Sequence, residues 1–261
     1  MYSESGKKLR LGRVFNRDGR AFVVALDHGI LMGAVKGIED LEDTVKKLIK
    51  VNPDALQVTP GAFRILKDNF IGRGAPSLII RLDVSNYLRG TEVKGSYYEN
   101  LYSIKDAVSM GAEAVVVYYL VGYEDESIEG KNIREISKII SDSEEYGMPV
   151  IVEPLYISKG YDSLRDPEKV KLITRIASEL GADALKVDYT GDKASFKEVV
   201  RSSFAPILVR GGPKSSNEEE FIKMMREAIE CGAKGITVGR NLWQSRDIER
   251  MGLELLKVVH G

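Results

Sequence analysis

The stretch DALKVDYTGD places Lys186 and Asp188 two residues apart in a short apolar run. Residues at that spacing on a strand share a face, so Leu185 and Val187 point the other way. A lysine on such a face can attack a carbonyl if its amine is neutral, or it can pair with an acid as a structural ion pair. Other polar residues fall at comparable positions. Asp27 and His28 follow one apolar run, Arg81 and Asp83 close another, and Glu153 closes a third with Tyr156 just beyond. Two further runs end in RGGPK (210–214) and VGR (238–240). Glycines let a ligand approach the backbone, and amides at a helix start favour an anion. Gly211, Gly212, Gly239 and Arg240 therefore form a candidate phosphate cradle, with Lys214 as an added charge; the structural alternative is a plain turn into a helix.

These residues can converge only if one architecture brings the run ends together. Val- and Ile-rich runs alternate with helical periodicity along the chain, the pattern of repeated βα units on a parallel sheet. The runs predict eight strands, at 22–27, 55–59, 78–83, 114–120, 150–153, 184–188, 206–210 and 235–238. Helices are predicted at 39–50, 61–68, 103–110, 133–146, 167–180, 196–201, 218–231 and 248–259. MGAEA, LGADA and CGAKG each put a glycine between a helix and the next strand, where it serves as a C-terminal cap. The pattern favours an α/β fold, a single-domain (β/α)8 TIM barrel spanning 1–261, over an open doubly wound sheet. In such a barrel the site lies at the C-terminal strand ends, and the last two loops commonly hold phosphate. The stretch 83–100 is the longest irregular segment and is expected to form a hairpin or lid above the third strand. Tyr118 and Tyr119 cannot both face the barrel interior.

Composition narrows the partners. With 38 basic and 39 acidic residues the formal charge is -1, which gives no footprint for nucleic acid. One cysteine, Cys231, excludes an intrachain disulfide, and two distant histidines, His28 and His260, argue against a zinc cluster. No apolar run approaches the roughly 20 residues needed to span a bilayer, and the N-terminal stretch carries no apolar leader core. The expectation is a reduced, cytoplasmic protein without metal or other cofactor, acting on a small molecule.

The segments ALDHG (25–29), ALKVDYTGD (184–192), GGPK (211–214) and VGRNLWQ (238–244), in that order, resemble the archaeal-type class I fructose-bisphosphate aldolases and the related 2-amino-3,7-dideoxy-D-threo-hept-6-ulosonate synthases. The resemblance spans nearly the whole chain. It implies a metal-free barrel in which Lys186 forms a Schiff base with a substrate ketone, Asp27 handles the proton of the hydroxyl at the cleaved bond, and the GGPK and VGR loops bind phosphate. It also implies a phosphorylated sugar as substrate and a homo-oligomer. The chain departs from the family at the fifth strand, where VEPLYISKGY lacks the Tyr-Pro-Arg-Gly of most relatives and Tyr156 falls one position beyond the expected tyrosine. Glu153 instead resembles the proton shuttle of the tagatose-bisphosphate aldolases. Glu153 and Tyr156 thus both stand as proton carriers, and His28, Arg81 and Asp188 as candidate substrate contacts. A barrel that binds a phosphate without a Schiff base, with Lys186 a mere electrostatic contact, is the alternative of another class.

Overall fold

The computed structural model describes residues 2–87, 97–123, 125–157 and 165–261. Ten strands are present among them: β1 (Ala21–Ala25), β2 (Ala55–Val58), β3 (Ser77–Arg81), β4 (Asp83–Ser85), β5 (Tyr98–Asn100), β6 (Ala114–Val121), β7 (Val150–Tyr156), β8 (Ala184–Asp188), β9 (Ile207–Arg210) and β10 (Gly235–Val238). Eight of them close a parallel barrel in the order β1-β2-β3-β6-β7-β8-β9-β10, with β10 pairing back onto β1. The open-sheet alternative is thereby removed. The remaining two, β4 and β5, form an antiparallel hairpin that pairs Asp83 with Asn100 and Ser85 with Tyr98. That is the hairpin expected in 83–100; its tip, 88–96, lies outside the described residues.

The helices are α1 (Tyr2–Val14), α2 (Gly29–Met32), α3 (Leu41–Ile49), α4 (Pro60–Leu66), α5 (Ile104–Ser109), α6 (Glu126–Tyr146), α7 (Pro167–Glu179), α8 (Lys193–Ser202), α9 (Glu218–Glu230), α10 (Arg240–Trp243) and α11 (Ile248–His260). Their starts follow from side-chain caps that satisfy orphan amides. Asp40, Thr59, Ser103, Asp125, Asp166, Asp192, Asn217 and Asp247 each accept from a backbone N–H of the first turn. The cap at Asp125 starts α6 seven residues before the predicted 133. Gly111, Gly181 and Gly232 take φ of 78°, 98° and 109°, the left-handed turn expected of the three caps. No helix among the described residues is long and apolar enough to cross a membrane.

Helix α1 was not foreseen, because its apolar residues do not fall on one stripe. It is held by polar contacts instead. Lys7 bonds Glu144 at 2.5 Å and Asp183 at 3.0 Å, and Ser77 donates to the Arg13 carbonyl at 2.8 Å. Val14, at its end, joins Ala21, Val23, Ala55, Ile79, Val116, Ile151 and Ala184 in the apolar plug of the barrel's N-terminal half. Alternation then dictates what comes next. Two residues on from these inward positions stand Gln57, Arg81, Tyr118, Glu153 and Lys186, so the apolar plug gives way to a polar layer. The outward residues of the same strands pack under the helices in a larger apolar cluster.

Candidate active site

Lys186 and Glu153 come from adjoining strands, β8 and β7, and meet inside the polar layer. The Lys186 ammonium donates to Glu153 Oε2 at 3.1 Å. Arg81, from β3 across the barrel, donates through its NH2 to that same oxygen, through Nε to Asp27 Oδ2 at 2.8 Å and through NH1 to Asp83 Oδ1 at 3.1 Å. Its guanidinium lies 3.8 Å from the centre of the Tyr118 ring. Gln57 donates to Asp27 at 2.5 Å, and the Tyr118 amide donates to Asp83 at 2.5 Å. On the other side Arg210 binds Asp188 through NH2 at 2.5 Å and stands 3.7 Å from Glu153. Each of these side chains is less than one-tenth exposed, so none of their charges is tolerable without its partners.

The environment shifts what these groups can do. Burial, helped by Arg81 and Arg210, brings the Lys186 amine below its usual range against the pull of Glu153 and Asp27. A lysine so placed yields the neutral amine more readily than an exposed one. Burial opposes ionisation of Asp27, yet Arg81, Lys186 and His28 outweigh it and hold the carboxyl well below the carboxylate range. Glu153 is likewise disfavoured by burial and brought lower overall by Lys186, Arg81 and Arg210. Asp83, deepest of the acids, is pushed up to about 6 by burial. Burial takes His28 down to about 4, so its ring is neutral near pH 7. The Tyr118 phenol is raised well above its ordinary value, first by burial, and stays protonated.

Above this layer opens a pocket walled by Asp27, His28, Tyr118, Glu153, Lys186 and Arg210 and by the loops after β9 and β10. Gly211, Gly212, Gly239 and Arg240 all border it, so the two glycine loops line the same pocket as Lys186. Asn241 ties them together, donating to the Gly211 and Pro213 carbonyls at 2.9 and 2.7 Å and accepting from Ser215 N–H at 2.8 Å. Arg240 NH2 stands 3.5 Å from the Gly212 carbonyl. At Gly239 a Cβ would come within 2.5 Å of the His28 ring, so only glycine admits that close packing. The His28 ring is braced edge-on by Trp243, 5.3 Å between centres, and Trp243 donates to the Ala25 carbonyl at 3.0 Å.

Not every expected residue reaches the pocket. Tyr156 lies on the outward face of β7, packed against the helix-side core with Lys169 4.6 Å over its ring. Three residues separate it from the inward Glu153, and an odd spacing on a strand reverses the face. The rest of that motif, 158–164, lies outside the described residues. Arg81 and Asp188 do not border the pocket either: all three Arg81 nitrogens are engaged with acids beneath it, and Asp188 is engaged with Arg210. Lys214 points away toward Glu218, 3.5 Å distant. Of the tyrosine pair, Tyr118 faces in and Tyr119 packs outside. Sequence reasoning missed Gln57, Tyr87, Thr237 and Arg165. Thr237 borders the pocket with a buried hydroxyl that has no hydrogen-bond partner among the described residues. Arg165 NH2 would lie 3.5 Å from a Cβ on Gly212, a second guanidinium beside that loop. Gln57 and Thr237 were visible as inward positions on strands; Arg165 carried no local signal.

A family model described as DeoC/LacD family aldolase matches residues 21–245. The chain is 49% identical over 258 residues to an uncharacterized aldolase of Saccharolobus solfataricus, covering 98% of this chain and 94% of that protein. It is 33% identical over 251 residues to the fructose-bisphosphate aldolase class 1 of Thermoproteus tenax, covering 95% and 93%. Among solved structures, a Schiff base forming fructose-1,6-bisphosphate aldolase is similar with a TM-score of 0.83 at 31% identity, over 97% of this chain and 100% of that one.

Proposed function

Because the chain belongs to the DeoC/LacD aldolase family and is a carbon–carbon lyase, we propose that Lys186 is its Schiff-base nucleophile and that the substrate is a phosphorylated ketose, most simply fructose 1,6-bisphosphate. The observation that carries this reading is the buried Lys186 amine, 3.1 Å from Glu153 and lining the same pocket as the paired glycine loops. In the cleavage direction the neutral amine adds to the ketone and water leaves, giving a protonated imine. The carbon–carbon bond one carbon removed then breaks, its electrons flow into the imine to form an enamine, and the hydroxyl proton of the departing carbon passes to Asp27 as the aldehyde forms. The proton taken by Asp27 is relayed to Glu153, an ionised carboxylate until then, which passes it to the enamine carbon; water then adds to the regenerated imine and releases dihydroxyacetone phosphate, the amine and the proton taken up when the imine formed. The Gly211–Gly212 and Gly239–Arg240 loops hold the phosphate, so its binding energy positions the ketone over Lys186.

Transfer of the three-carbon unit to an amino-acid-derived aldehyde, the synthase reaction, uses the same lysine. Glu153, facing inward on β7, favours a third option within the class, a tagatose-bisphosphate-like aldolase with a carboxylate shuttle. In all of these the reaction is metal-independent and cytoplasmic, and the chain works as a homo-oligomer. The test is borohydride reduction in the presence of dihydroxyacetone phosphate or fructose 1,6-bisphosphate, followed by peptide mass spectrometry of wild type and Lys186→Met. A reduced adduct on the Lys186 peptide, lost in the variant, supports the reading. Confirmed binding of either ligand with no adduct removes the Schiff base and leaves a phosphate-binding barrel of other chemistry.

A further inference from the structure

Two cations share one carboxylate oxygen in the polar layer, and only one of them reaches the pocket. Glu153 Oε2 accepts from the Lys186 amine at 3.1 Å and, more closely, from Arg81. Arg81, on β3, is 1% exposed and joins β4, β7 and the loop after β1 through Asp83, Glu153 and Asp27. We propose that Arg81 is a positioning residue that keeps Glu153 from pairing exclusively with Lys186, and so leaves the lysine amine available as a nucleophile. A carboxylate with two bound cations cannot give its full hydrogen-bonding capacity to either. Removing Arg81 would free Glu153 to turn wholly to Lys186, and would leave Asp27 held by Gln57 alone on that side.

The charges around Lys186 favour this assignment over a purely structural one. From β7 and the loop after β1 it faces Glu153 and Asp27, both of which hold the proton on the amine; Arg81 from β3 and Arg210 from β9 oppose it. Arg210 is engaged with Asp188 of β8 and sits farther from Glu153, at 3.7 Å. His28 after β1 is neutral near pH 7 and Tyr118 of β6 is protonated, so neither adds a charge there. Arg240 of α10 borders the same pocket from the phosphate side. Arg81 is thus the cation that binds both Glu153 and Asp27, the two acids that hold the proton on Lys186.

The inference rests on the proposed function for its consequence but not for its measurement. Competitive labelling with acetic anhydride across pH, read on the Lys186 peptide by mass spectrometry, follows the amine without any substrate. In Arg81→Gln the labelling midpoint is expected to rise by about one to three pH units, the usual effect of an unopposed neighbouring carboxylate. Each unit means about tenfold less free amine at neutral pH. Arg81→Lys, which keeps the charge but cannot span three carboxylates, is expected to rise by less. Arg81→Gln combined with Glu153→Gln is expected not to rise, since no glutamate is left to seize the lysine. An unchanged midpoint in folded Arg81→Gln overturns the proposal. If that variant does not fold, Arg81→Lys carries the test, with an upward shift supporting the proposal and an unchanged midpoint overturning it. Failure of borohydride trapping in wild type, with the labelling shift intact, would overturn the Schiff base and leave the role of Arg81 standing.

Discussion

Asp83 offers a direct measure of how much the polar layer costs the fold. Its carboxylate is fully buried and accepts from Arg81 at 3.1 Å and from the Tyr118 amide at 2.5 Å, yet burial outweighs both and lifts it from the ordinary 3.8 to about 6. A carboxyl raised in the folded state binds protons that the unfolded chain has already released. Its contribution to stability is therefore complete below pH 3.8 and is lost as pH rises through about 6. A rise of about two units corresponds to about 3 kcal/mol at 1.36 kcal/mol per unit. Asp83→Asn cannot ionise, so this loss vanishes, while the altered hydrogen bonds to Arg81 add an offset that is the same at every pH. Urea denaturation followed by circular dichroism between about pH 4 and pH 8 should show the variant gaining about 3 kcal/mol relative to wild type across that interval. Parallel stability curves for the two proteins would refute the reasoning, because they would mean that Asp83 titrates alike in the folded and unfolded chains.

Two further outcomes follow from where side chains point. Tyr156→Phe removes a hydroxyl on the outer face of β7 and is expected to leave aldol cleavage within about twofold of wild type; a loss of the hundredfold order expected on removing a general acid or base would return the proton-carrying role to Tyr156. Arg165→Ala removes the guanidinium beside Gly212 and is expected to raise KM for phosphorylated substrate by about tenfold, the loss of roughly one charge-assisted hydrogen bond, with kcat nearly kept and no effect on unphosphorylated dihydroxyacetone. Equal effects on both substrates would show that Arg165 does not read the phosphate.

The barrel was legible because its signals are local and repeated: an apolar run, a helix of period 3.6, a glycine cap, three times over in MGAEA, LGADA and CGAKG. Lys186, Glu153, Asp27 and the glycine loops could be placed around one pocket because strand ends in a barrel share one mouth. Where an expected residue does not border the pocket, the reason is that proximity to the mouth fixes neither a side chain's face nor its partners. Tyr156 is three residues from Glu153 and so points outward, while Arg81 points inward in the same layer as Glu153 but has its three nitrogens taken up by Asp27, Asp83 and Glu153. Parity was available from the sequence for Tyr156, once β7 is known to run past Glu153 to Tyr156. The partners of Arg81 were not, since two of them, Asp27 and Glu153, come from segments far apart in the chain. Helix α1 was illegible for a different reason: Lys7 and Ser77 anchor it through contacts far apart in the chain.

Glu153 stands in a conflict that the proposed chemistry resolves. It holds the proton on Lys186, which opposes formation of the attacking amine, but the protonated imine that follows carries its positive charge at the same nitrogen. A carboxylate 3.1 Å away therefore stabilises the protonated imine as well as the ammonium, and its removal lowers the imine only to the extent that the imine is the more strongly held of the two. The sharing of that oxygen with Arg81 limits the hold on the ammonium. Glu153→Gln separates the two effects. The Lys186 amine should then be labelled by acetic anhydride at lower pH than in wild type, because its main counter-charge is gone. The imine trapped by borohydride with dihydroxyacetone phosphate should nonetheless fall, by tenfold or more if the imine is the more strongly held by about 1.4 kcal/mol, and turnover should fall further where the glutamate also carries the proton. A variant whose amine is freer and whose imine accumulates faster would mean that Glu153 only restrains Lys186, and that the proton moves through another group on the pocket wall.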